Sequence, residues 1–228
     1  MRAVVCGANG AMGKLICAAL GDAVIGKVSI DGENGVPKTF EELGAVDANV
    51  LIDFSHHTAV ADVLAYAKKI GSAAVIGTTG HTPEEKALIF AAAEEIPVFY
   101  AGNVSLGIAV LCRLVKEAVK FFPEADIEIV EIHHTRKVDA PSGTAHMLFN
   151  AVKEVRADAV ENCGRSGEGK RTKNEVGIHE VHIVTPNQSL TLKHESGSRA
   201  MLADGAVDAA KFMVGKEKGF YNMESMLN

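Results

Sequence analysis

The densest run of reactive side chains is Glu131-Ile132-His133-His134-Thr135-Arg136-Lys137-Val138-Asp139-Ala140-Pro141-Ser142-Gly143-Thr144-Ala145. Two imidazoles and two cations close an alternating, strand-like stretch, and Pro-Ser-Gly-Thr then opens a helical one. Histidine can give or relay a proton near neutral pH, and lysine is protonated throughout that range. A helix start presents unbonded backbone N–H groups that attract anions. His133, His134 and Lys137, beside a helix start at Ser142, Gly143 and Thr144, therefore have the means to grip a dicarboxylate and to protonate it. A polar loop with one helix cap is the plainer reading of the same residues. A His-His pair is more often a surface or structural feature than a catalytic one. A zinc site is a weaker alternative, because no helical H-x-x-x-H occurs and His179, His182 and His194 fall on separate strand positions. No metal is expected.

A second chemical feature lies at the start of the chain. Gly7-Ala8-Asn9-Gly10-Ala11-Met12-Gly13 follows a short apolar strand and opens a helix. A dinucleotide's pyrophosphate needs that layout: one glycine for the tight turn, one for close backbone approach, one for helix-on-strand packing. The spacing is G-x-x-G-x-x-G rather than the commoner G-x-G-x-x-G, and a tight turn with packing glycines remains the alternative. Asp31 ends the next strand-like run, where an acid is needed for the ribose hydroxyls. Gly32 follows it and no Arg or Lys is adjacent, so charge complementarity favours NADH over NADPH. Lys14 and Lys38 are the cations that could come near in three dimensions.

These features need a scaffold, and the hydrophobic pattern supplies one. Apolar runs at 3–6, 24–30, 50–54, 73–76 and 97–100 alternate with helical spacing at 11–20 and 57–70 and after Thr82-Pro83-Glu84-Glu85. Near-continuous apolar strands alternating with helices predict a doubly wound parallel sheet of Rossmann type, covered on both faces. After Asn103 the rhythm changes. A helix at 104–122, a strand at 127–133, a helix at 142–155 and an antiparallel pair at 178–184 and 190–194 predict an α+β domain with a mixed or antiparallel sheet. Residues 161–175, rich in glycine and charge without an apolar period, predict a loop. After Ser198 the pattern is helical again through Met213. The division expected is a dinucleotide-binding domain at 1–104, completed by 199–228, and a substrate-binding and oligomerisation domain at 105–198. Chemistry then requires the two domains to meet.

Composition narrows the function classes. A net charge of −6 argues against a nucleic-acid or anionic-membrane surface, and the absence of Trp argues against a base-stacking platform. No apolar run reaches the 18 or so residues of a membrane span. The glycine at position 7 comes too early for a secretory signal. Cys6, Cys17, Cys112 and Cys163 are far apart and read as reduced thiols, consistent with a cytoplasmic protein.

The run E-x-H-H-x-x-K-x-D-A-P-S-G-T-A at 131–145 resembles the signature of the dihydrodipicolinate reductases, also named 4-hydroxy-tetrahydrodipicolinate reductases, of the diaminopimelate route to lysine. The resemblance extends to Gly7–Gly13, Asp53-Phe54-Ser55, Gly77-Thr78-Thr79-Gly80, Ala101-Gly102-Asn103-Val104-Ser105, Gly177-Ile178-His179 and Gly205-Ala206. It implies NAD(P)H-dependent reduction of a cyclic unsaturated imine dicarboxylate. It also implies His133 as acid/base, Lys137 as proton donor, and His134, Gly143 and Thr144 as substrate contacts. The implied cofactor contacts are Gly7, Ala8, Asn9, Gly10, Ala11, Met12, Asp31, Gly77, Thr78, Thr79, Ala101, Gly102, Asn103 and Val104. It further implies a homotetramer built on the sheet and long loop of the second domain. Three positions depart from the family. Gly32 stands where an arginine often follows the ribose acid, Leu202 replaces an aromatic, and the stretch between His182 and His194 is shorter. The other readings are a different two-domain NAD(P)-dependent oxidoreductase of amino-acid metabolism and a non-catalytic NADH-sensing protein. Neither needs the whole constellation at 133–144.

Overall fold

The computed structural model of the chain describes residues 1–132, 141–159 and 177–228. These fall into two compact units, Met1–Ser105 with Leu202–Asn228, and Leu106–Met201.

The first unit begins with β1 (Ala3–Cys6), α1 (Ala11–Leu20), β2 (Val24–Val28) and a short α2 (Phe40–Leu43). It continues through β3 (Val50–Asp53), α3 (Val60–Ile70), β4 (Ala73–Ile76), α4 (Pro83–Ala92) and β5 (Pro97–Tyr100). The second unit holds α5 (Leu106–Phe121), β6 (Asp126–Ile132), α6 (Gly143–Val155), β7 (Gly177–Thr185) and β8 (Gln188–Ser196). Helix α7 (Ala200–Met213), β9 (Gly219–Tyr221) and α8 (Met223–Leu227) follow.

The first unit's sheet has the order β2-β1-β3-β4-β5-β9, with every pair parallel. Strands β1, β3 and β4 are buried at every position. A strand covered on both faces needs such unbroken apolar runs. Helix α3 buries Val60, Val63, Leu64 and Ala67 on one face, and they join Val4, Leu51, Ile76 and Val98 in one core. Helix α4 opens on the expected capping box. Thr82 accepts from the Glu85 N–H, Glu85 accepts from the Thr82 N–H, and Pro83 takes the first turn. Sequential strands lie on opposite sides of β1, so the topology reverses between β1 and β3. Crevices at such reversals, beyond the carboxyl ends of the strands, are where open α/β sheets bind ligands.

The second unit's sheet is antiparallel throughout, in the order β6-β7-β8. Its inner face packs Ile129, Val181 and Ile183 against Val115, Leu148 and Val152 of α5 and α6.

Several boundaries differ from the sequence pattern. Strand β2 stops at Val28, short of the 24–30 run, because Ser29 N–H turns to the Pro37 carbonyl and Gly32 N–H to the Ser29 carbonyl. Ile30 is 92% exposed, so its apolar character misleads. Strands β7 and β8 run longer than expected and meet in a two-residue turn at Pro186-Asn187. The pattern also passes over β9, which has only three residues and takes its place through backbone pairing with β5. The loop expected at 161–175 lies outside the described residues.

Candidate functional site

The four turns that follow β1, β3, β4 and β5 leave the sheet at one edge. Backbone bonds continue one residue beyond each strand, from Gly7 N–H to Val28, Phe54 N–H to Cys6, Gly77 N–H to Asp53, and Ala101 N–H to Ile76. Three of the sequence segments singled out for the cofactor, those at Gly7, Gly77 and Ala101, thereby line up along the carboxyl edge of one sheet, and Asp31 lies beyond the end of the neighbouring parallel strand β2.

The glycines of the first turn have separate geometric reasons. Gly7 adopts φ +79°, and a Cβ there would strike the Phe54 carbonyl. Gly10 is the N-cap of α1 in extended conformation, with no side-chain cap, so the first N–H groups of the helix are left for a ligand. A Cβ on Gly13 would fall on the Gly7 carbonyl and the Ala8 Cα, so helix and turn touch backbone to backbone. This cradle fits a pyrophosphate, since a side chain at any of these positions would fill or deform it.

A cleft of about 990 Å³ extends from Gly7 and Gly10 past Asp31 and Lys38 to Ser55 and His56. Asp31 is exposed at its rim, and the Asn9 amide donates to its Oδ1 at 2.5 Å while the Glu33 N–H donates to the same oxygen at 3.1 Å. The Asn9 contact first, then the Glu33 N–H, hold the Asp31 carboxyl below the usual carboxylate range. It is therefore an ionised acceptor at neutral pH. Lys38 approaches the same turn. Its side-chain carbons lie against Gly32, in the space that any residue larger than glycine would take. Lys38 therefore lies beside Gly32 on the wall of the same cleft as Asp31, while the cation whose charge helps to lower the Asp31 carboxyl is Lys14.

Beneath the turns lies a buried polar network that spacing alone does not reveal. Asp53, fully buried, accepts from Thr78 Oγ1 at 2.6 Å and from Ser55 Oγ at 2.5 Å, and Ser55 N–H donates to Thr78 Oγ1 at 2.9 Å. The carboxylate so ties the turn after β3 to the turn after β4. Burial pushes the Asp53 carboxyl up, and its hydrogen bonds pull against that. Burial, then the nearby Asp53, push the Cys6 thiol up to about 12, so Cys6 is an inert packing residue. Phe54 lays its ring on Gly77, where a Cβ would collide with it. Gly77 and Thr78 are buried, whereas Thr79 and Gly102 are exposed and Asn103 caps its own turn by accepting from Ser105 N–H. Gly205 of α7 lies against the Val104 carbonyl.

Nothing in the sequence pattern marks the imidazoles in the segments after β3 and β4, His57 and His81. His57 Nδ1 meets both Glu85 oxygens at 2.9 Å. His81 is 6% exposed, stands edge-on to Tyr100 and has no partner for either ring nitrogen among the described residues. Burial holds His81 below its usual value of 6.5, with Asp53 and Glu85 pulling the other way and His57 and Lys86 adding to the depression. The unfolded chain then takes up this proton at a higher pH than the folded chain. The stability contributed by a neutral ring is complete above 6.5 and is lost as pH falls through 6.5 towards the lower folded value. His81→Phe is expected to remove that loss. Its gain in Tm over the parent should widen as pH is lowered from about 7.5 to about 5.5 in thermal unfolding. A gain that does not change with pH would refute it.

In the second unit, Ser142 is the N-cap of α6 and its Oγ accepts from Ala145 N–H at 3.1 Å. Gly143 is exposed, with open space around its Cα, and Thr144 is half-buried. The helix start is formed as an anion site requires. His133, His134 and Lys137 lie outside the described residues. Among the described residues no three His, Cys, Asp or Glu side chains could hold a metal ion, and no helix is long and apolar enough to cross a membrane.

Comparison with known proteins gives a consistent result. Residues 1–104 match the family model "Dihydrodipicolinate reductase, N-terminus", and residues 107–227 match "Dihydrodipicolinate reductase, C-terminus". The 4-hydroxy-tetrahydrodipicolinate reductase of Caldanaerobacter subterraneus subsp. tengcongensis is 39% identical, covering 100% of this chain and 98% of its own. That of Clostridium tetani is 36% identical, covering 100% and 97%. Among solved structures, a dipicolinate-bound dihydrodipicolinate reductase from Paenisporosarcina sp. TG-14 superposes with a TM-score of 0.79 at 20% identity, covering 100% of this chain and 99% of its own.

Proposed function

The chain belongs to the dihydrodipicolinate reductase family, and from that premise we propose that it reduces 4-hydroxy-tetrahydrodipicolinate, whose hydroxyl leaves as water, to tetrahydrodipicolinate in lysine biosynthesis. One observation supports the reading above the others. Both anion-binding devices that such a reaction needs are formed, the glycine cradle at α1 and the open helix start at Gly143. The cofactor is a nicotinamide dinucleotide, which when bound supplies a hydride to the unsaturated ring.

The protein's own groups do the rest. The N–H groups at the start of α1 and the glycine turn hold the pyrophosphate, and Asp31 accepts from the ribose hydroxyls. Gly77, Thr78 and the turn at Ala101–Val104 shape the far end of the cofactor's path. Gly143 and Thr144, with His134, bind a substrate carboxylate. Lys137 and His133 deliver the proton that quenches the negative charge built on the ring. Coupled assay tests this directly: NADH oxidation with substrate made in situ by a partner synthase from pyruvate and aspartate semialdehyde. Absence of oxidation that depends on that substrate would refute the proposal.

The ribose pocket favours NADH, through an ionised Asp31, and accepts NADPH as well, through Lys38. Asp31→Ala is expected to weaken NADH more than NADPH in a fluorescence titration. Parent protein that binds NADPH more than about tenfold tighter than NADH, about 1.4 kcal/mol, would overturn the preference. Assembly is proposed to be homo-oligomeric, a homotetramer by family resemblance, in the cytoplasm. Strand β8 lies at an edge of its sheet with Leu190 and its neighbours exposed, a surface open to pairing. Sedimentation should show an oligomer at micromolar concentration, and a monomer there would end this proposal.

A further inference from the structure

The inner face of the second unit's sheet is apolar for most of its length and then changes character. Ile129, Val181 and Leu192 stand opposite one another across β6, β7 and β8. The next row on the same face is Glu131, His179 and His194. Directly opposed residues share a face, so a carboxylate and two imidazoles end an otherwise hydrophobic surface. His179 is 4% exposed. Burying such groups costs free energy unless hydrogen bonds offset it, and an apolar residue at 179 would continue the face without that cost.

The offsetting bonds converge on Ser142. Its N–H donates to Glu131, at 3.1 Å to Oε1 and 3.3 Å to Oε2. His179 Nε2 lies 3.3 Å from Ser142 Oγ and 3.7 Å from Glu131 Oε2. A carboxylate facing Nε2 favours the tautomer that carries its proton there, so the ring donates towards Ser142 and Glu131. Ser142 is 2% exposed, so its hydroxyl faces inward, onto Ala145 N–H and the ring. A helix cap alone would need only the bond to Ala145.

We infer that His179 is a positioning residue of the substrate site, which with Glu131 clasps Ser142 and sets the direction of the α6 N-terminus. The inference rests on the proposed function for what that terminus binds. The clasp joins the strand residue two positions before His133 to the residue just before Gly143. It therefore fixes the direction in which the N–H groups at Gly143 and Thr144 point.

The test compares His179→Leu with His179→Gln, whose amide can reach the position of Nε2. His179→Leu is expected to raise KM for the cyclic imine by about tenfold or more, with kcat changed less than about threefold. NADH affinity should stay within about twofold, because the cradle lies in the other unit. Hydrogen exchange at Ser142 and Ala145 should quicken selectively. His179→Gln should bring KM back to within about threefold of the parent, which a general loss of packing would not do. A folded His179→Leu with unchanged KM and exchange, or a Gln variant as impaired as Leu, overturns the inference. Should His179→Leu not fold, Glu131→Gln decides. It keeps an oxygen for Ser142 N–H but loses the charge facing Nε2, and an unchanged KM and exchange would overturn the clasp. A parent that does not turn over the imine would refute the proposed function, while exchange at Ser142 would still decide the clasp.

Discussion

Lys137→Ala and His133→Ala are each expected to lower kcat by about 10²–10⁴-fold, the usual contribution of a general acid or base. NADH affinity should be nearly unaffected, because the cradle at Gly7, Gly10 and Gly13 belongs to a different unit from the basic segment. The argument is chemical. Hydride delivery builds negative charge on the substrate ring, and a proton must arrive before the charge returns to the donor. Lysine holds that proton at neutral pH, and histidine can resupply it near its ordinary pKa of about 6.5. On the proposed assignment both residues serve one proton path, so the double variant should lose less than the product of the single losses. Thr144→Val should instead raise KM with little change in kcat, because the carboxylate contact proposed for it would already be made in the ground state. Steady-state kinetics on the imine made in situ measures all four variants. Near-normal kcat in both single variants would reduce the basic segment to an anion-binding loop.

Gly13→Ala carries the second large effect, this time on the cofactor. The added methyl would overlap the Gly7 carbonyl and the Ala8 Cα, and backbone on both sides gives no flexible side chain to move away. The turn must open, costing about 1–3 kcal/mol of stability as overpacking does. Opening displaces the N–H groups proposed to hold the pyrophosphate. NADH affinity is expected to fall by about 100-fold or more, about 2.7 kcal/mol. Gly197→Ala is the matched control, since a Cβ there meets nothing within 4 Å and its backbone is not in the left-handed region. It should leave affinity and Tm unchanged. Gly13→Ala with parental NADH affinity in fluorescence titration would show that the cradle is not where the dinucleotide binds.

Local pattern alone determined much of this protein. Unbroken apolar runs at β1, β3 and β4 announced strands buried on both faces, and Thr82-Pro83-Glu84-Glu85 announced the start of α4. Such signals are legible because each depends on residues close in sequence. The glycine turn was legible for the same reason, since Gly7, Gly10 and Gly13 meet one another within two turns of chain. The family signature was legible because it is one continuous run.

Tertiary structure decided what depends on residues far apart in the chain. Lys38 meets Gly32 only because the chain folds back after β2, so the sequence could name Lys14 and Lys38 as candidates near this turn but not say which of them packs on Gly32. Asp53 reads as the last residue of a strand, and its role appears only when β4 brings Thr78 alongside. Exposed Ile30 and three-residue β9 misled in opposite directions, because exposure and pairing are set by the rest of the sheet rather than by the segment. Ser142 lies 11 residues from Glu131 and 37 from His179; the register of β6 on β7 sets Glu131 opposite His179, and the packing of α6 brings its N-cap to both. Sequence determines which groups are available along the chain. Strand register and burial determine which of them meet, and in a medium of low dielectric that meeting decides whether a carboxylate is an orienting anchor or an exposed charge.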